Sequence, residues 1–411
     1  MLLDLGPLRR HRDFRLLFLG QVVSSFGSFF TYVALPVQLY ELTKSTATVG
    51  LLGTVQLAPL AITALWGGAV ADAIDRRRLL VWSEALLLVA ALVLTANSLA
   101  ARPSVALIFV LAAFMSAVTG FHTPALSSLT PRLVDPGELT AVSALTSLRG
   151  TSAAILGPAL AGVCLAKLGT PFTFALDAAT FAVSLVALAA IRSIPPADDA
   201  RPPGLASIAE GLRYAASRPE LIGTYVVDIV AMTFAMPMAV FPALAARWGD
   251  PNDSGYLYSA MSAGSLVVTL FSGWTRSVVR HGAAVVIAAA LWGGAIVALG
   301  FATTLAGALA WLALAGAADT VSGLFRQTIW NETIPSGIRG RLAGIEQLSY
   351  MSGPLLGNVR AGFMAEQQGL ARSISCGGWL CVAGVLLCVP LLPAFWRYRK
   401  PAPAAPGRGA P

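Results

Sequence analysis

Between Phe14 and Trp396 the chain is divided by short breaks of glycine, proline and charge into about twelve apolar stretches, each near the roughly 20 residues that cross a hydrocarbon core. The first six run over residues 14–40, 48–71, 79–101, 104–127, 139–167 and 172–191. The second six run over 221–245, 256–274, 283–303, 305–326, 342–364 and 373–396. Hydrocarbon offers no partner to a backbone N–H or C=O, so each crossing is expected to be a helix that satisfies its own backbone. With 56% hydrophobic and only 12% charged residues, a soluble fold of 411 residues would expose large apolar patches. The expected fold is an all-α membrane protein with twelve transmembrane helices in two six-helix bundles, embedded in a lipid bilayer.

The same composition narrows function. The net charge of +8 is scattered over loop ends rather than gathered on one polar module, which argues against a nucleic-acid partner. Cys164, Cys376, Cys381 and Cys388 all fall in apolar stretches and read as small fillers. His11, His122 and His281 are far apart in sequence, and no nucleophile triad or phosphate loop is present. No enzyme, metal site or cofactor is therefore expected.

Arginine placement orients the bundle. The basic start, Arg9, Arg10, His11, Arg12 and Arg15, precedes a stretch without a small-residue cleavage site, so it is read as a retained first helix with its N-terminus inside. Threading from there puts Arg76–Arg78, Arg132, Arg276, Arg280, Arg339, Arg341 and 397–400 in the cytoplasm. Lys44, Arg102, Lys167, Arg247 and Arg372 fall outside. Both termini are thus expected on the cytoplasmic face of the inner (plasma) membrane.

The expected domains are a first bundle over 1–192, a linker over 193–219, a second bundle over 220–396 and a disordered tail over 397–411. The linker opens on Pro195, Pro196, Asp198, Asp199, Pro202 and Pro203 and then carries a capping box, Ser207 with Glu210, ahead of a short surface helix. The two bundles read as a repeat. Leu-Gly-Pro-Ala-Leu-Ala-Gly at 156–162 in span five is echoed by Ser-Gly-Pro-Leu-Leu-Gly at 352–357 in span eleven. Parallel repeats of this kind build rocking transporters.

The loop between spans two and three carries Gly68, Asp72, Arg76 and Arg77 in the order Gly-x-x-x-Asp-x-x-x-Arg-Arg. This resembles the signature of the major facilitator superfamily. With Asp13-Phe14-Arg15-Leu16-Leu17, Val49–Gly53, Pro131–Val134 and Arg339–Leu342, the whole chain is similar to the superfamily's drug and siderophore exporter branch, which includes the enterobactin exporter and macrolide efflux proteins. The resemblance implies the major facilitator fold and a cytoplasmic latch in which Asp72 is the acid. The arginines serve either that latch or topology alone. It also assigns Gly157 and Pro158, with their echo Gly353 and Pro354, to a hinge, or else to a packing kink. The branch's arginine within span four is missing here, and the second-half counterpart of the latch, at 273–277, has serine in place of the acid.

An ionisable group inside a membrane costs about 2.5–3.5 kcal/mol on insertion scales, so each one demands a role. Asp228 in span seven and Asp319 in span ten are the candidates for coupling protons to transport, with a buried charge pair as the alternative. Arg149 in span five, a third coupling candidate, must pair with an acid or face water, and Asp228, Asp319 and Glu84 are the available acids. Glu84 and Glu346 are placed near cytoplasmic helix ends, and Asp177 is read as an exposed or packing residue. Gln21, Gln38 and His122 could hydrogen-bond a bound molecule, while Met232, Met236, Phe234 and Phe325 suit an apolar pocket or plain packing. The reading that results is a monomeric secondary active exporter of an amphipathic small molecule, a siderophore, antibiotic or drug, by proton antiport. A proton-coupled uptake permease is the alternative, and a non-transporting receptor or scaffold is a more distant one.

Overall fold

The computed structural model describes residues 4–192, 213–334 and 339–400. Its long helices are α1 (Arg12–Thr43), α2 (Thr46–Ala73), α3 (Arg76–Leu99), α4 (Val105–Leu129), α5 (Leu139–Ala189), α6 (Pro219–Ala235), α7 (Ser254–Leu270), α8 (His281–Gly300), α9 (Leu305–Thr333), α10 (Arg339–Gln368) and α11 (Leu370–Leu391). Helix α5 carries spans five and six, so α6 is span seven and α11 is span twelve. Nine helical segments among the described residues are long and apolar enough to cross a membrane, the bent α5 counting once. Helix α7, at 17 residues, and the more polar α10 complete the set.

Local chemistry sets the helix ends. Ser45, Ser104 and Thr304 each accept a backbone N–H of the first turn of α2, α4 and α9, and Asp75 accepts those of Arg77 and Arg78 at the start of α3. Two connections are reduced to a single residue. Gly169, at φ +76°, bends α5 into its two arms, and Gly369, at φ +88°, separates α10 from α11. Both positions need the left-handed backbone that glycine adopts without strain. They also occupy equivalent places in the repeat.

Packing follows the repeat as well. The first half pairs α1 with α5, α2 with α4 and α3 with both α4 and α5; the second pairs α6 with α10, α7 with α9 and α8 with both α9 and α11. Large apolar side chains such as Trp66, Trp82, Val186, Leu270, Phe271 and Leu391 lie exposed around the outside, where only hydrocarbon would cover them.

The halves meet through two crossings, α2 with α10 and α5 with α7, which the six-span offset interchanges. Both rest on backbone contact. A Cβ on Gly162 would collide with the carbonyl of Gly255, and one on Gly362 with the carbonyl of Thr46. Among the described residues, hydrogen bonds between the halves gather at this end, opposite the termini and here called distal. Glu366 Oε2 accepts from Thr46 N at 2.9 Å and Ala47 N at 3.4 Å, capping α2 from the other half. Asn252 donates to Glu41 at 2.9 Å, and Ser259 donates to the Ala159 carbonyl at 3.0 Å.

At the terminal end each half is tied to itself. Asp13 is buried and takes Arg192 Nε at 2.8 Å, joining the start of α1 to the end of α5. Arg77 donates to the carbonyls of Leu188 at 3.1 Å and Ala189 at 2.6 Å, which caps α5. His11 lies 2.6 Å from Glu138, with Asp135 nearby at 3.8 Å. Arg10 joins the same Glu138 carboxylate at 2.9 Å, making this an ion-pair network between the N-terminus and the α4–α5 connection.

Several boundaries differ from expectation. Span ten does not stop at Arg326: α9 runs on to Thr333, which places Arg326 two turns inside the helix. Span seven breaks after Ala235 and resumes as a 3-10 turn at Met238–Val240 and a short helix at Phe241–Ala245. Residues 397–400 are ordered rather than disordered, with Lys400 N on the Val279 carbonyl at 2.9 Å and the Tyr398 hydroxyl on Glu332 at 3.1 Å. The rest of the tail, 401–411, and the linker's capping box at Ser207 and Glu210 lie outside the described residues.

If the distal crossings hold the halves together, Gly162→Leu should push them apart. Overpacking costs about 1–3 kcal/mol, which shifts a two-state ratio about 5- to 150-fold. Spin labels at Thr43 and Gln368 should report a longer distance population in that variant, and a smaller shift in Glu366→Ala.

Candidate functional site

A cavity of about 370 Å³ lies between the halves, within the range of small-molecule pockets. The first half contributes Ser28, Phe29 and Tyr32 from α1 and Ala154 and Pro158 from α5. The second half contributes the remainder, including all of its charge. Methionines 232, 236, 238, 261 and 351 line it together with Tyr258, Trp292 and Tyr350. Thioether side chains re-pack around varied shapes, and the aromatic rings offer flat apolar faces.

The charged group is a triad. Arg326 forms an ion pair with Asp228 through Nη1 and reaches Asp319 through Nη2 at 3.8 Å. Asp228 lies nine residues into α6, about 14 Å from its start. Asp319 and Arg326 are seven residues apart on α9, two turns along one face. The Asp228 and Arg326 side chains are 6% and 13% exposed, whereas Asp319 is 40% exposed and open to the cavity. Two carboxylates share one guanidinium, so a single added proton balances the charge. The arrangement can hold a proton, or engage a polar group of a ligand, on the cavity wall.

The other expected site residues distribute as follows. Pro158 and Pro354 face the cavity from opposite halves, and Gly157 and Gly353 let Phe29 and Met232 pack directly against the helices that carry them. Met232 and Met236 line the cavity. Phe234 and Phe325 do not: Phe325 is buried at the terminal end of the second half, against Trp274 and His281. Consecutive helical residues point about 100° apart, so Arg326 and Phe325 cannot share one face. Gln38 is buried with its Oε1 unpartnered, away from the cavity lining.

Gln21 and His122 belong to a different cluster. Both bond to Glu84, which is 0% exposed inside the first half rather than at a helix end. Asp177 is also buried and accepts from the Thr31 hydroxyl, so it is not exposed. Arg149 meets none of the acids proposed for it. It borders a small crevice with Phe14, Phe18, Gln21 and Thr146, and its Nε has no hydrogen-bond partner among the described residues. The surroundings of Gly68 and the side chain of Asp72 lie outside the described residues, whereas Arg77 caps α5 as above and Arg76 is buried. The side chain of Glu346 is likewise outside them. The partner that sequence reasoning missed is Arg326, whose signal was its seven-residue spacing from Asp319.

Two repeated helical halves around a charged, apolar-walled cavity define a membrane transporter of the major facilitator fold. Solved structures agree on the fold. A peptide transporter POT in complex with sulfate superposes with a TM-score of 0.72 at 14% identity, covering 95% of this chain and 96% of that one. A bacterial homologue of the iron transporter ferroportin in an inward-facing state gives 0.65 at 15% identity, covering 94% and 98%. The chain belongs to the transmembrane secretion effector family, whose sequence profile it matches over residues 4–398. Curated relatives include the enterobactin exporter EntS of Citrobacter koseri, 29% identical over 99% of this chain and 98% of the relative. EntS of Escherichia coli is 28% identical over 100% and 99%. The protein is therefore an integral, multi-pass membrane transporter of the exporter type.

Removing one member of a buried ion pair costs about 3–5 kcal/mol, because the other charge is left uncompensated. Arg326→Gln should therefore lower the thermal unfolding midpoint in detergent markedly. Adding Asp228→Asn to that variant should recover most of the loss.

Proposed function

We propose that this protein exports an amphipathic small molecule, of siderophore, antibiotic or drug type, in exchange for protons. The observation that carries this reading is the Asp228–Arg326–Asp319 triad on the wall of the cavity between the halves. Relatives that match along the full length of the chain are named enterobactin exporters, which supports a siderophore-type cargo. The cavity's methionines and aromatic rings would hold the apolar part of such a cargo, and the triad its polar part.

The mechanism is alternating access. A proton on Asp319 or Asp228 balances the triad and leaves Arg326 paired; deprotonation leaves an excess carboxylate that a polar cargo group satisfies. Each ligand then favours a different state of the same equilibrium, which is what coupling requires. The bundles over 1–192 and 220–396 rock about the hinge pairs Gly157–Pro158 and Gly353–Pro354. With the termini on the cytoplasmic face of the inner membrane, the distal crossings close the outside and the cavity opens inward. Gly68, Asp72, Arg76 and Arg77 latch the cytoplasmic side when it shuts, and the bonds from Arg77 to the end of α5 anchor that latch in the first half. A monomer suffices, since each half supplies the surface on which the other moves.

The test compares compounds inside cells and in the medium for a deletion strain, its complemented parent and strains carrying Asp228→Asn or Asp319→Asn. Export by this route is expected to leave one compound retained in the deletion strain, and retained at least about tenfold above the parent level, equivalent to about 1.4 kcal/mol, in at least one of the two variants. A compound depleted from deletion cells instead would mean uptake.

A further inference from the structure

The first half has its own ionisable cluster, and its acid is partnered differently from Asp13 and Asp228. Glu84 on α3 is wholly buried. Its Oε1 receives Gln21 Nε2 at 2.7 Å, Ser184 Oγ at 3.0 Å and His122 Nε2 at 3.2 Å, while Ser24 Oγ lies 3.3 Å from both oxygens. Asp228 and Asp13 are each matched by an arginine. Among the described residues no arginine or lysine reaches Glu84, and the imidazole of His122 is the only partner able to carry a positive charge.

That choice of partner has a chemical consequence. A carboxylate beside an arginine is permanently balanced, because the guanidinium does not release its proton. A carboxylate beside a histidine is balanced only while the pair holds one proton, on the ring as an ion pair or on the carboxyl beside a neutral ring. Losing that proton leaves a lone buried anion, and gaining another leaves a buried cation, so the pair is poised around a single exchangeable proton. The His122 side chain is 14% exposed, whereas Glu84 is sealed.

We propose that Glu84 and His122 form a second proton-binding site, housed in the first half and separate from the cavity triad. The groups packed around it are Gln21 and Ser24 from α1, His122 from α4, and Ser184 and Asp177 from the second arm of α5. Asp177 is itself held by Thr31 and Thr180, and Arg149, on the first arm of α5, borders a crevice with Gln21. Because the site joins α1, α3, α4 and α5, its protonation acts on the packing of the whole first half rather than on a cargo directly.

The test needs no transported compound, so its outcome is independent of the export reading. The full chain is placed in phosphatidylethanolamine–phosphatidylglycerol vesicles and followed by infrared difference spectroscopy across steps between about pH 5 and 9, the range in which histidine sites titrate. A second sample carries ¹⁵N-labelled histidine, where only three rings contribute. The expected result is a carboxylic-acid band that responds to pH, disappears in Glu84→Gln and survives in Asp228→Asn/Asp319→Asn. Where the pair's proton sits on the ring instead, no such band is expected, and the His122 ring itself changes protonation, over a different interval in Glu84→Gln. The amide keeps an acceptor for Gln21 and the serines; should this variant fail to fold, His122→Gln, read on the Glu84 band alone, must shift that band's interval. No pH-responsive band that Glu84→Gln removes, together with a His122 ring fixed in one state throughout, would overturn the proposal and make the pair a static strut.

Discussion

Hydrocarbon supplies neither hydrogen bonds nor a drive to bring two apolar surfaces together, and the structure of this chain depends on that double lack. The first part turns each crossing into a helix closed on its own backbone. The second means that helices hold one another only where they approach closely enough for dispersion to add up. Gly162 against Gly255, and Gly362 against the carbonyl of Thr46, are such places. They join the halves at the distal end, while the terminal end of each half is bound inward by Asp13–Arg192 and by the cluster of His281, Glu332 and Tyr398. Among the described residues the halves are therefore fastened to each other at the distal end, and each to itself at the terminal end.

The same lack governs where charge sits. Each buried carboxylate must find a partner, and the choice of partner separates four kinds of acid among the described residues, Asp177 being held by the hydroxyls of Thr31 and Thr180. Asp13 has an arginine and serves to hold the helix ends of one half together. Asp228 and Asp319 share an arginine, which leaves them one positive charge short and exposes the shortfall to a cavity. Glu84 has only neutral donors and a histidine. The cavity's charge thus lies wholly in the second half and the sealed acid in the first, so halves that share a backbone plan differ in chemistry.

Much of this was readable before any coordinate. Span positions followed from hydropathy because the saturation of backbone groups leaves little choice of structure, and the repeat was visible in Gly157–Pro158 and Gly353–Pro354. Asp228 and Asp319 stood out because a carboxylate in an apolar run has no ordinary explanation. Arg326 was missed for the opposite reason: a charge near the end of an apolar run reads as its boundary, and α9 runs on to Thr333. The Glu84–His122 pair joins residues 38 apart on neighbouring helices, a relation that no periodicity records. Phe325 takes the packing alternative and Gln38 lies away from the cavity lining, since hydropathy locates a residue in depth but says nothing of the direction in which it points.

The two single-glycine turns bear on how such a molecule could move. A loop of several residues would let its flanking helices slide or tilt separately. Gly169 and Gly369 leave no such slack, so spans five and six, and likewise eleven and twelve, behave as stiff hairpins. In each hairpin one arm borders the cavity through a proline, Pro158 or Pro354, while the other packs on the helices behind. A displacement at the cavity wall therefore meets no connecting loop between the two arms that could absorb it, much as a bent rod has no joint at its elbow.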